Sequence, residues 1–541
     1  MQSAWSRLTT RASGQLVLLA LVLVLGGLVR IAQFSHVPPG FNQDEAASAY
    51  EAYSLAETGQ DKWGNPLPAY FPAWGSGQNV LLAYLTVPVI NTLGMSVFSA
   101  RLVPLVLGVL TLPLFFFSLR PLGFFPALLG TLLLALAPWH FMLSRWALES
   151  NLVPFFMLLG CAGLARALIT GRRRWIAPCL LPFALSLYAY GTTTVVLPGL
   201  FGLVLLLGFG RGRARWGSWL LALGLFGLVA APFGLFFAEN YVVARNFAWT
   251  DKLFFATPLL PATRISQVSG THWTDVVAYN WNFLLAGFDD GTCYNLMPGY
   301  KLLLSLPLPF ALVGALVGAA KLVGRRGRVF SSPPGIVLGI FGAWGLASLS
   351  LFCTVELNVN RFNHFYLPCL ALAAWVIPLI INSFNASVPR PALRLAVVAW
   401  VLLEGGLAVN HYFTDYRDGL IKGQFNDGLA EAFAAVGKLR GSGSGQVRIT
   451  EQMPLPYVYA LFYLRYPPAR FQREAQVAVS GGTYQVRRFG RYVFTPDELL
   501  PGCAYGYLSR KNEYGTLPRQ VLFTNEAWEV GVVQPAAVAG P

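Results

Sequence analysis

Apolar runs of roughly 17 to 22 residues, separated by short basic stretches, limit this chain more than any other feature. A run of that length crosses a hydrocarbon core about 30 Å thick as a helix. Charged residues make up only 12% of the 541, and hydrophobic residues 55%, with mean hydropathy +0.53. A soluble chain carries about 25% charged residues. The sequence therefore describes an α-helical polytopic membrane protein. Its 39 Lys and Arg against 24 Asp and Glu leave a net charge of +15. Basic residues cluster in short stretches between the apolar runs, at Arg172–Arg174, Arg211/Arg213/Arg215, Lys321/Arg325/Arg326/Arg328 and Arg390/Arg394. Short basic loops set membrane orientation and attract anionic lipid, so the charge argues for membrane lipid as a partner and against nucleic acid. Cys161, Cys179 and Cys369 sit inside apolar runs, and only Cys293 and Cys503 fall in long polar segments. Without a CxxC pair, neither a disulfide framework nor a thiolate metal site is indicated.

The first apolar run, Gln15 to Phe34, follows Arg7 and Arg11 and lacks an Ala-x-Ala cleavage site. It reads as a retained signal anchor with a cytoplasmic N-terminus. If Val80 to Val97 lies on the outer membrane surface, every basic cluster falls on the cytoplasmic side. Spans are then expected near 100–119, 122–138, 151–169, 175–190, 192–209, 216–236, 300–322, 333–353, 363–382 and 393–410. With the first, that makes about eleven. Three parts face outward: 35–98, 237–299 and 411–541. The last has an amphipathic helix at Asn426–Leu439 and strand-like pieces at Gln446–Thr450 and Tyr484–Phe489, with a helical piece between. The expected organisation is a transmembrane domain over 1–410 and a small extracytoplasmic α/β domain over 411–541, with no short-period repeat. The location is a plasma membrane.

The residues suited to chemistry gather at the outward ends. In Gly-Phe-Asn-Gln-Asp-Glu-Ala (Gly40–Ala46), Asn42 to Glu45 open a helix that Gly59 ends. Asn42 can cap it, Glu45 completes a capping box, and acids in a first turn suit the helix dipole. Glu45 thus has the stronger structural explanation, and the functional expectation falls on Asp44. A second amphipathic helix is expected at Asn79–Leu93. The second outward loop, Pro138 to Asn151, holds His140, Arg145 and Glu149. Glu149 serves equally as an acidic helix start. Arg145 on the outside runs against the positive-inside bias, which favours a role for it. In Glu356 to Pro368, Arg361 stands at an outer helix mouth with His364 just beyond. It suits a phosphate or, equally, a snorkelling interface position. Glu404 lies inside an apolar run near its outer end.

This order of elements resembles the GT-C class of membrane glycosyltransferases, in particular the protein O-mannosyltransferases and the lipid A aminoarabinosyltransferases. The likeness rests on Asp44-Glu45 in the first outer loop, two interfacial helices, Ser144 to Asn151, and the turn from Arg361 to Pro368. It covers about residues 15–410. It implies inverting transfer of a sugar from a polyprenyl-phosphate donor to a glycan, glycolipid or protein acceptor on the outer face. Asp44 takes the role of base, Glu45 and Glu149 join it as acids, and Arg145, His140, Lys301, Arg361 and His364 serve substrate binding. A polyprenyl phosphate is already a good leaving group, so one carboxylate and nearby cations suffice. No cofactor is required on this reading, and a divalent cation is left open. The competing readings are a transporter or flippase for a lipid-linked saccharide and a non-catalytic scaffold for cell-wall assembly. A transporter is expected to show inverted repeats, broken helices and midplane charges.

Overall fold

A computed structural model describes residues 12–209, 216–262, 273–324, 332–384, 389–419, 421–439, 445–515 and 517–534. Arg7, Arg11, the Arg211–Arg215 cluster, Arg325/Arg326/Arg328 and most of the Gly441–Gly445 run lie outside them. The chain forms two compact units, each drawn from separate stretches: 1–34, 104–233 and 268–416 in one, 35–103, 234–267 and 417–541 in the other. The boundary expected near 410 is close to the last of these divisions. The second unit also takes in the first outer loop and part of the large one.

The first unit is helical. Seven helices among the described residues are long and apolar enough to cross a membrane: Ala12–Ile31, Val97–Leu122, Glu149–Thr170, Gly217–Val243, Pro333–Cys353, Asn363–Ser383 and Arg390–Tyr416. Shorter apolar helices occupy Phe124–Leu136, Ile176–Leu187, Thr193–Leu206 and Pro307–Lys321, while the similar helix Leu81–Leu93 belongs to the second unit. Asn363–Ser383 is the central helix, packing against Pro307–Gly324, Pro333–Ser348 and Phe124–Leu136. Small residues let backbones approach, as membrane helices require. A Cβ on Gly345 would stand 3.1 Å from Pro368, and one on Gly160 would stand 2.6 Å from the Phe183 ring. One expected span starts late. Leu302 to Leu304 are buried but the chain is not helical until Pro307, which disfavours helix in the residue before it.

In the second unit, the helix Gln43–Thr58 forms as its sequence directs. Asn42 Oδ1 accepts the Asp44 N–H at 2.9 Å and Glu45 Oε2 accepts the Asn42 N–H at 3.0 Å, completing the capping box. Gly59, at φ 68°, ends it with its N–H on the Leu55 carbonyl. The following loop is pinned by Asp61, whose Oδ1 accepts the N–H groups of Trp63 and Asn65 at 2.9 and 2.8 Å. Beside it, Lys62 and Glu51 form a fully buried ion pair.

The C-terminal part holds a seven-stranded sheet. Its strands are β1 (Val447–Ile449), β2 (Gln476–Ser480), β3 (Thr483–Phe489), β4 (Tyr492–Val493), β5 (Tyr505–Arg510), β6 (Arg519–Thr524) and β7 (Trp528–Val533). They lie in the order β2-β3-β4-β1-β5-β7-β6, with β1 parallel to β4 and β5 and the other pairs antiparallel. The helix Leu429–Lys438 covers β5, β6 and β7. Helices Pro456–Tyr463 and Pro468–Glu474 pack on Gln43–Thr58. Phe41 meets Phe462 at 4.6 Å between ring centres, and the Tyr50 hydroxyl donates to the Tyr466 carbonyl at 2.8 Å. The first-loop helix and the C-terminal domain therefore share a core.

Candidate functional site

Asp44 and Glu45 are neighbours with different tasks. Glu45 is fully buried, and its Oε1 and Oε2 accept Nε and a terminal nitrogen of Arg101 at 2.7 and 2.8 Å. Arg101 is fully buried too, and donates to the carbonyls of Pro38 and Gly40 at 2.8 and 2.9 Å. The bidentate pair thus clamps the chain leading into the helix. Asp44 is half-buried, one position earlier on the same turn. Near it stands Tyr459, whose buried hydroxyl is held well above the usual phenol range, first by burial, then by Tyr463 and by the Asp44 carboxylate. Asp44 is thus a carboxylate on a rigid helix start whose neighbour supplies the anchoring. Sequence reasoning missed Arg101 and Tyr459. A single cation at the head of an apolar run, on the side where basic residues are scarce, was the available signal for the first.

The remaining expected site residues lie in the first unit. Arg145 is fully buried and donates to the carbonyls of Val29, Arg30, Ala32 and Gln33 at 2.9, 2.8, 2.6 and 3.2 Å. It sits on the carbonyl end of Ala12–Ile31, where a cation meets the negative end of the helix dipole. The Phe413 ring lies 4.9 Å from its guanidinium. His140, also buried, faces Arg30 with Nδ1 at 2.6 Å. Arginine only donates, so that nitrogen accepts and the ring is neutral. These contacts give both residues structural work. Glu149 is buried and opens the turn Glu149–Leu152 ahead of Val153–Thr170, as an acidic helix start would.

Arg361 is half-buried and donates to the Glu356 carbonyl at 2.7 Å, while Asn358 Oδ1 accepts its backbone N–H at 2.7 Å. Asp290 Oδ2 accepts the Val359 N–H at 3.0 Å, bracing the same turn. Asp290, Glu356 and Arg361 all act on the Tyr279 hydroxyl, so Arg361 works in a mixed rather than purely cationic setting. Lys301 is exposed, near Gly287. His364 is buried at the start of the central helix, its Nε2 3.3 Å from the Thr193 hydroxyl. Asp44 with Glu45, His140 with Arg145, and Arg361 with His364 thus form three local groups.

A family model described as dolichyl-phosphate-mannose-protein mannosyltransferase matches residues 43–247. No curated protein sequence matches the chain. Among solved structures, ArnT from Cupriavidus metallidurans bound to undecaprenyl phosphate is similar, with 15% identity and a TM-score of 0.52. The likeness covers 98% of this chain and 100% of that one. The oligosaccharyltransferase of Archaeoglobus fulgidus in its apo form is also similar, at 14% identity and a TM-score of 0.51, over 83% of this chain and 63% of that one. This chain has the GT-C membrane glycosyltransferase fold. The family match begins at Gln43, the first residue of the Asp44 helix, and runs through Arg101, Arg145 and Glu149.

In this GT-C chain, no three His, Cys, Asp or Glu side chains gather in metal-binding geometry among the described residues. At the Asp44 turn, both oxygens of the second carboxylate, Glu45, are engaged by Arg101. What this turn can do is hold one carboxylate, half-exposed, at a fixed place and angle.

Proposed function

We propose that this protein is an inverting glycosyltransferase that moves a sugar from a polyprenyl-phosphate donor to an acceptor on the outer face of a plasma membrane. One observation carries the reading. Of the two adjacent acids, Glu45 is consumed by Arg101 and the cap, while Asp44 is set half-exposed on the anchored turn. In a single displacement, Asp44 accepts the proton of the acceptor hydroxyl as its oxygen bonds to the anomeric carbon. The bond from that carbon to the phosphate oxygen breaks, and the lipid phosphate leaves with the electron pair. A phosphate leaving group requires no general acid, only cations to receive its charge. Arg361 and Lys301 are the side chains assigned to that task, with Glu149 in support at the opening of its span. That ArnT binds undecaprenyl phosphate supports a lipid-linked donor of this class. A protein, glycolipid or glycan is the acceptor.

The test is Asp44→Asn in purified protein reconstituted in lipid, assayed with polyprenyl-phosphate mannose and polyprenyl-phosphate aminoarabinose. Asn retains the first-turn geometry, so folding persists while transfer falls on the order of 10²-fold or more, typical of losing a positioned base. Transfer within a few-fold of wild type would return Asp44 to a purely dipolar role. In Arg361→Ala the KM for the donor rises, and Arg361→Lys restores it only in part, because a point charge replaces a planar fork.

A further inference from the structure

The apolar helix Trp216–Phe237 has 22 residues and no charged side chain. At about 33 Å it fills a hydrocarbon core about 30 Å thick. The next turn, Ala238–Val243, is a π-helix and brings the first charged side chain, Glu239. The chain therefore leaves this span at the membrane boundary and begins 244–262 there. Glu239 is fully buried and gathers that stretch around itself. Its Oε1 accepts the Phe247 N–H at 2.7 Å and the Thr250 hydroxyl at 2.9 Å, and its Oε2 accepts the Thr257 hydroxyl. Beside it, Asn240 Nδ2 donates to the Pro258 carbonyl at 3.1 Å, and Asn240 Oδ1 accepts the Leu260 N–H at 2.9 Å. A loop bound at so many points to one turn is a rigid knuckle.

What the knuckle holds outward is apolar. Phe254 is 79% exposed, Val242 73% and Trp249 50%, the last with its ring stacked on Phe247 at 6.0 Å and 7°. Arg245 and Lys252 are exposed in the same stretch, with Asp251 the one acid between them. Aromatic rings set among Arg and Lys beside the end of a span are the composition of a membrane–water interface. The knuckle is also bonded to the first outer loop within the second unit. Ala69 N–H donates to the Ala256 carbonyl at 2.9 Å, and Ala256 N–H donates to the Pro66 carbonyl at 2.9 Å. The Tyr70 ring stacks on Phe236 at 4.3 Å.

We propose that the 244–262 knuckle is an interfacial anchor: Val242, Trp249 and Phe254 enter the boundary between acyl chains and head groups, with Arg245 and Lys252 against lipid phosphates. The lipid surface is the occupant because the knuckle follows directly on a span, so its exposed rings start at bilayer height. The charges agree, since two cations to one acid suit the phosphate layer. Glu239 supplies the rigidity that keeps the rings outward instead of letting them fold back on the protein. Because the first outer loop is bonded to the knuckle, the anchor sets how far that loop stands from the lipid surface. The anchor is independent of the role of Asp44.

A photoreactive phenylalanine analogue placed at Phe254 or at Trp249 tests this in full-length protein, reconstituted in bilayers of phosphatidylethanolamine and phosphatidylglycerol. Leu228, exposed midway along the span, is the reference for lipid contact, and Val479, exposed on β2, the reference for an apolar side chain with no adjoining span. On irradiation, both knuckle positions are expected to give phospholipid adducts, read by mass spectrometry, within a few-fold of the Leu228 position and several-fold above the Val479 position. Glu239→Ala frees the loop, so the adduct at Phe254 falls several-fold while that at Leu228 is unchanged. If Glu239→Ala does not fold, Thr257→Val, which removes one of the three ties, decides in its place. Lipid adducts at Leu228 with none at Phe254 and Trp249 overturn the anchor, as does an equal yield at Val479. Crosslinks from Phe254 to a second copy of the chain overturn it in favour of self-association. An undiminished adduct in the Glu239 or Thr257 variant overturns the part assigned to Glu239.

Discussion

Glu45 and Asp44 show how one residue step changes what a carboxylate does. Glu45 points into the chain and meets a guanidinium on both oxygens with no solvent access. Removing either partner leaves the other as an uncompensated buried charge, which costs about 3–5 kcal/mol. Arg101→Ala and Glu45→Ala should therefore lower the melting temperature sharply, as followed by intrinsic fluorescence. Asp44→Asn should leave it within a degree or two, roughly the effect of a change under 0.5 kcal/mol. A Glu45→Ala protein that melts like wild type would show that the clamp contributes nothing. The capping role of Glu45 was legible in the sequence because it is local, set by a spacing of three residues. Arg101 was not, because its partner lies 56 positions away and only tertiary packing joins them.

Local rules governed the elements in the same way. The helix Gln43–Thr58 was expected from Asn42 to Gly59 and stands there, since cap and stop are both written into it. The amphipathic helix Leu429–Lys438 and the strands β1 and β3 lie inside or beside their expected ranges. Strands β2 and β4 to β7 were not legible, because their burial does not alternate cleanly. The loop after Gly59 carries the next prediction. Burial, and then the nearby Glu51 carboxylate, raise Asp61 to about 7. Folded Asp61 therefore keeps its proton to higher pH than the unfolded chain, whose Asp titrates near ~3.9. Between those values the folded state binds more protons, so stability falls as pH rises from about 4 to about 7. The melting-temperature difference between wild type and Asp61→Asn should decline through that window and level off above it. A difference independent of pH would mean that Asp61 is ionised throughout.

At the scale of the whole molecule, the positions of the apolar helices were legible from run length, and the orientation assigned to them makes a separate prediction. Reporter fusions at Arg173 and Arg326 should read cytoplasmic, and fusions at Gly59, Asp275 and Gly441 external. A cytoplasmic signal at Gly441 would put the C-terminal domain on the wrong side of the membrane for the proposed chemistry. What run length could not convey is that 35–103 and 417–541 belong to one compact unit. Synthesis proceeds from the N-terminus, so the helix bearing Asp44 emerges long before Phe462, Tyr466 and Phe471, against which its neighbourhood packs. Its apolar face must wait through the insertion of most of the spans for a partner made last. A ribosome that stops after residue 416 would leave that face without these partners. The helix that carries Asp44 thus completes its packing only when translation nears its end.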